Sequence, residues 1–209
     1  VEHRATALRR AAAPTISGVI TDLDGAPVDM TTALYRLSLA FDRRFPEHDA
    51  PADRLVRLCE EVGELAEEVL VAETGDLSPA PVRPNLVKEL RDVLRAAVGL
   101  ARRYGRSVRF AAVPERGAPP LVLIARLAVA AGDCARWVHH DAGMGVKVEK
   151  HGVFRPERLG ASVQAVLDAV AGLTAHYTVA EALARSVEDA YRRYQQEGHI
   201  EPGGGAGNP

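Results

Sequence analysis

Residues 57–70 read RLCEEVGELAEEVL, and their periodicity decides the fold. Leu58, Val62, Leu65 and Val69 recur at steps of four, three and four, and Leu55 extends the series backwards. This is the apolar stripe of an amphipathic α-helix, not the alternation of a strand. It predicts a helix from about Ala52 to Glu73. The same period recurs on either side, with Leu34, Leu37, Phe41 and Phe45 over 31–45, and Leu86, Leu90, Val93, Ala97 and Ala101 over 85–104. Asn85 is expected to cap that third helix and Gly105 to stop it. Three more helices are expected over about 120–140, 157–176 and 179–197. Composition agrees: of 209 residues, 35 are alanine and only 5% are aromatic. A core rich in Ala and Leu and poor in rings and β-branched residues suits packed helices, not a sandwich or barrel. The expected fold class is an all-α helical bundle.

The second half of the chain repeats the first. RLCEEVGELAEEV (57–69) aligns with RLAVAAGDCARWV (126–138), and DVLRAAVGLARRYG (92–105) with AVLDAVAGLTAHYT (165–178). Arg, Leu, Gly, Ala and Val match in the first block; Val-Leu, Gly-Leu and Tyr match in the second. Two tandem units, each a helical hairpin, are therefore expected to share one bundle. The boundaries are an arm over 1–29 with a possible short strand, a first unit over 30–105, a linker over 106–119, a second unit over 120–198 and a Gly-rich disordered tail over 199–209. The segment VKVEKHGVF (146–154) is expected to form a short hairpin within a loop.

Charge and hydropathy exclude several classes. Hydrophobic residues make up 47% and charged residues 26%, ordinary values for a globular chain. The net charge of −2 gives no reason to expect nucleic-acid or acidic-membrane binding. No run approaches the roughly 18 apolar residues of a membrane span, and no apolar segment of secretory length follows Arg4, Arg9 and Arg10. A cytoplasmic location is expected. Cys59 and Cys134 are expected to be buried free thiols.

Chemistry concentrates in the first unit. Glu61 and Glu64 project from one side of the second helix, and Glu89 and Asp92 share the same i, i+3 spacing on the third. In an antiparallel hairpin the two pairs face each other. Four converging carboxylates repel unless a cation lies between them, and oxygen-only ligands suit Mg²⁺ or Mn²⁺. The aligned positions of the second unit are Ala130, Asp133, Ser162 and Ala165. A merely solvated acidic face has little reason to differ so much between halves.

EEVGE (60–64), 24 intervening residues and ELRD (89–92) resemble the EExxE…ExxD pattern of the MazG-like all-α nucleoside triphosphate pyrophosphohydrolases. The resemblance covers about 50–105 well, and ALARSVEDAYRRY (182–194) is similar to the closing helix of such domains. It implies Mg²⁺-dependent hydrolysis of a nucleoside triphosphate to the monophosphate and pyrophosphate, with Glu61, Glu64, Glu89 and Asp92 as metal ligands. One competent and one degenerate unit resemble the related dimeric dUTPases. Phosphoryl chemistry of this kind needs positioning and charge neutralisation, not a protein nucleophile.

Around these ligands, Glu60 is a candidate general base, and Lys88, Arg95, Lys147 and Lys150 are candidate phosphate contacts. A homodimer or an internal pseudo-dimer would bury the remaining apolar surface. Two alternatives stay open: a narrower pyrophosphohydrolase acting on dUTP, dCTP or phosphoribosyl-ATP, and a non-enzymatic nucleotide-binding regulator.

GVITDLDGAPVD (18–29) resembles the first motif of haloacid-dehalogenase-like phosphatases, with Asp22 as nucleophile and Asp24 as acid/base. That chemistry needs an α/β fold, which the helical periodicity disfavours. Trp137 is expected to pack the bundle or stack on a base. His139 and His140, about 100° apart on a helix, do not suit a shared metal.

Overall fold

The computed structural model describes residues 20–74, 84–111, 118–144 and 147–201. Its described part contains two short strands, β1 (Ile20–Thr21) and β2 (Pro27–Val28), and seven α-helices. The helices are α1 (Met30–Arg44), α2 (Pro51–Thr74), α3 (Pro84–Arg103), α4 (Pro120–Asp141), α5 (Val148–His151), α6 (Pro156–His176) and α7 (Ala180–Gln196). A 3-10 turn, Pro46–His48, joins α1 to α2. The all-α expectation holds. None of the described helices is long and apolar enough to cross a membrane.

Sequence sets the helix starts. α2, α3, α4 and α6 each begin on a proline, whose fixed φ and missing N–H suit the first helical position. At the start of α1 the Asp29 carboxylate accepts from the Thr32 amide at 3.1 Å, an N-cap. Asn85 does not cap α3, because that helix starts one residue earlier at Pro84.

α2 packs on α3, α4 on α6, α2 on α4 and α3 on α6, closing a four-helix bundle. α1 and α7 pack on each other and on α3. Contacts between α2 and α3 run in opposite chain directions (Arg54 at Gly99, Glu61 at Arg95, Lys88 at Glu64), so the pair is antiparallel. α4 and α6 are antiparallel by the same test, with Leu123 at Gly172 and Arg158 over Trp137. Leu58, Leu65, Leu90, Leu94, Leu127, Leu159 and Leu167 lie fully buried at the centre.

The two hairpins match in detail. A Cβ on Gly99 would meet Arg54 Nη1 at 3.2 Å, and one on Gly172 would meet Leu123 Cδ2 at 2.9 Å. Both glycines admit a bulky side chain from the facing helix at equivalent positions. After α3, Gly105 adopts φ +61 and the amides of 105 and 106 reach back to the carbonyls of Arg102 and Ala101. After α6, Thr178 adopts φ 56 and the amides of 178 and 179 reach the carbonyls of Ala175 and Thr174. These are the same left-handed helix stop.

Several boundary expectations are corrected. The short strand expected in the arm is present as β1, and it is docked: Ile20 is fully buried, and Arg192 of α7 donates to the Thr21 carbonyl at 2.9 Å. Residues 1–19 lie outside the described residues. The linker is pinned over 106–111, because the Gln164 amide pairs with both backbone groups of Arg109 and Phe110 is buried. VKVEKHGVF forms the helical turn α5 in place of a hairpin; Val146 lies outside the described residues. The tail begins later than 199, since Ile200 is buried and the His199 and Ile200 amides bond to the Tyr194 carbonyl. Residues 202–209 lie outside the described residues. Cys134 is buried, as expected, but Cys59 is exposed.

The DLDG segment is a turn between strands. Asp22 Oδ1 accepts from the amides of Asp24 at 3.0 Å and Ala26 at 2.8 Å, a side chain bonding its own turn. With a single two-stranded sheet, the setting for a phosphatase nucleophile is absent among the described residues.

Candidate metal centre

Glu61 occupies the side of α2 that faces α3, one turn on from the buried Leu58. Glu89 and Asp92 lie one turn apart on the side of α3 that faces α2. Ligand oxygens from these three buried side chains lie within 4.8 Å of one another. Among the described residues this is the one group of His, Cys, Asp or Glu so arranged. Three of the four expected ligands therefore converge. Glu64 stands at the mouth, exposed, with Lys88 Nζ at 3.8 Å.

Cations surround the cluster. Arg95 donates to Glu61 at 3.1 Å and lies 3.6 Å from Asp92. Lys88 contacts Glu89 at 2.8 Å and Asp92 at 3.3 Å. Arg91 contacts Asp92 at 3.2 Å and donates to the Ser186 hydroxyl of α7 at 3.1 Å. They do not neutralise it evenly. Burial, reinforced by the charges of Asp92 and Glu64, pushes the Glu61 carboxyl up to about 7 against the pull of Arg95 and Arg57. Burial also raises Glu89; Lys88 pulls the other way, and the neighbouring Glu64 carboxyl pushes further up. Burial acts to raise Asp92 too, but Arg91, Arg95 and Lys88 outweigh it and hold that carboxyl below its ordinary value.

The residues fit a hard divalent cation. Glu89 Oε2 is buried with no hydrogen-bond partner, a costly state for a carboxylate oxygen. A cation between the three carboxylates would satisfy it. An all-oxygen donor set of this charge suits Mg²⁺ or Mn²⁺.

The other expected site residues separate. Glu60 lies outside the cluster, exposed and ion-paired with Arg57 at 2.8 Å. Lys88 and Arg95 are part of it. Lys147 and Lys150 lie exposed beside or within α5, and neither pairs with an acid of the cluster. In the second hairpin Asp133 pairs with Arg136 at 2.9 Å and the Ser162 hydroxyl donates to the Arg158 carbonyl at 3.0 Å. Trp137 packs under Arg158 and beside His140, so it belongs to the bundle.

A cleft of about 340 Å³ opens beside the cluster, between α1, the 3-10 turn, α2 and α3. Phe41, Phe45, His48, Arg57, Glu60 and Arg95 contribute to its walls. Arg54 closes its floor, ion-paired with both Asp42 and Asp49, while Arg102 also bonds Asp42. Sequence reasoning assigned Phe41 and Phe45 to the apolar stripe of α1 and missed this cleft. The signal that could have found it was two of the chain's four phenylalanines, one turn apart at the end of a helix.

Compared with family models, curated proteins and solved structures, the chain matches none.

Proposed function

We propose that the chain is a Mg²⁺-dependent nucleoside triphosphate pyrophosphohydrolase with one active site, built on α2 and α3. The observation that carries this reading is the convergence of Glu61, Glu89 and Asp92 around the unpartnered Oε2 of Glu89. In this reading Glu64, at the mouth, serves as a fourth ligand. When bound, such an ion neutralises triphosphate charge and acidifies a coordinated water. Lys88 and Arg95, which neutralise the acids in its absence, become free to contact phosphate oxygens once a cation takes that role. The cleft next to Arg95 offers the Phe41 and Phe45 rings to a base, and its volume is in the range of a small-ligand pocket. The EEVGE…ELRD resemblance supports the same assignment.

We infer further that the two hairpins are tandem copies, of which the second has lost the site. The equivalent glycine contacts at 99 and 172 and the identical helix stops at 105 and 178 support this.

Pyrophosphate release from a panel of ribo- and deoxynucleoside triphosphates with Mg²⁺ tests the proposal. Turnover is expected in wild type and a loss of at least about 100-fold in Asp92→Asn. Orthophosphate as the product, or unchanged turnover in Asp92→Asn, rejects it.

A further inference from the structure

The cleft beside the metal centre has a buried guanidinium at its floor. Arg54 of α2 is only 8% exposed, yet it lines the cleft. Its Nε and Nη2 are taken up: both donate to Asp49, and Nη2 also pairs with Asp42. Nη1 has no hydrogen-bond partner among the described residues. It lies beside Gly99, where a Cβ would stand 3.2 Å from it. Gly99 lines the cleft too, so the missing side chain leaves Nη1 uncovered on that side.

Charge decides what this nitrogen can hold. Arg54 and Arg102 are balanced by Asp42 and Asp49, so the floor carries no net charge to attract a phosphate. Phosphate belongs towards the carboxylate cluster, which Arg57 and Arg95 border through Glu61. Arg54 precedes Glu61 by seven residues, about 10 Å along α2. That is close to the span from a nucleotide's first phosphate to the far edge of its base. The Phe41 and Phe45 rings, with centres 4.8 Å apart, share the cleft walls. A guanidinium has donors only, so whatever reaches Nη1 must present acceptors.

We propose that Arg54 selects the base of the substrate, and that this base is a 6-oxopurine, guanine or hypoxanthine. The assignment rests on the nucleotide reading above. The two N–H groups of Nη1 suit O6 and N7, the adjacent acceptors on one edge of such a purine. Adenine puts an amino donor in the place of O6. Donor then meets donor in a buried place, and neither is satisfied. Arg54 has no freedom to turn away, because Asp42 and Asp49 hold its other two nitrogens.

Isothermal titration calorimetry of the full chain with inosine monophosphate (IMP), AMP and 7-deaza-IMP in Mg²⁺ tests this. Monophosphates have no pyrophosphate to release, so the readout is independent of turnover. IMP is expected to bind at least about tenfold more tightly than AMP. 7-Deaza-IMP, which lacks the N7 acceptor, should fall between the two. Arg54→Lys, with an intact fold by circular dichroism, should bring IMP and AMP within about threefold, because one ammonium cannot hold both aspartates and also reach the cleft. Should that variant fail to fold, the three wild-type affinities still decide. Equal binding of IMP and AMP, no binding of either, 7-deaza-IMP equal to IMP, or a preference that survives Arg54→Lys overturns the base assignment, and triphosphate turnover would then leave the proposed reaction standing. A preference for IMP without pyrophosphate release from any triphosphate would reject the reaction and keep the base assignment.

Discussion

Arg95 of α3 donates to Glu61 Oε1 of α2 at 3.1 Å while its guanidinium lies 4.2 Å from the centre of the Phe41 ring. One side chain thus joins the carboxylate cluster to the aromatic wall of the cleft. It is both the internal counter-ion of the acids and a platform for the ring.

Arg95→Met keeps most of the packing and removes the charge. The variant is expected to melt lower than wild type in chelator, by the equivalent of about 2–4 kcal/mol, because buried acids lose a partner. Added Mg²⁺ should then raise its melting temperature more than it raises that of wild type, since the ion replaces the lost cation. Thermal melts with EDTA and with Mg²⁺ read both effects. An equal Mg²⁺ shift in the two proteins would place the ion elsewhere.

Glu61 makes metal-free stability depend on pH. Its carboxyl holds a proton up to about 7 in the folded chain, against 4.5 as the ordinary value. The folded state therefore binds more protons than the unfolded state between these limits, and stability falls as pH rises from 4.5 towards 7. The loss is at most about 3 kcal/mol. Glu61→Gln should flatten this dependence and stabilise the chain at pH 7 to 8 in chelator, while abolishing the Mg²⁺ response. Urea melts across that range, with and without EDTA, check the sign.

Phe41 lies beside, not within, the carboxylate cluster. Phe41→Ala is expected to raise KM for the nucleotide about 10- to 100-fold, the equivalent of a lost stacking contact of about 1–3 kcal/mol, with a smaller effect on kcat. The reverse split, kcat lost and KM kept, would give Phe41 a role in aligning Arg95 and none in holding the base.

The helices and the acid cluster were legible because both follow periodicity. Leu58, Val62, Leu65 and Val69 mark the buried side of α2, and Glu61 falls beside that stripe on the flank facing α3. Long-range pairing left no such trace. The Gln164 amide holding Arg109, the Arg54 ion pairs with Asp42 and Asp49, and the docking of Ile20 on α7 join residues far apart in the chain or across a loop. Glu60 and Glu64 show the limit within one helix. They share the acidic run with Glu61, but their directions put one outside the cluster beside Arg57 and the other at its mouth.

The matched helix stops at 105 and 178 give a prediction independent of any activity. Thr178 holds φ 56 with an exposed side chain, a conformation in which a β-branched residue is strained by about 1–2 kcal/mol. Gly105 meets the same demand without that strain. Thr178→Gly should stabilise the chain, but by only about 0.5–1 kcal/mol, because glycine also gains freedom in the unfolded state. Gly105→Thr should destabilise it by about 1–2 kcal/mol. Urea denaturation with an unchanged m-value would assign both effects to the folded backbone at the two stops. A destabilised Thr178→Gly would mean that the Thr178 side chain stabilises the turn and that the two stops are not equivalent.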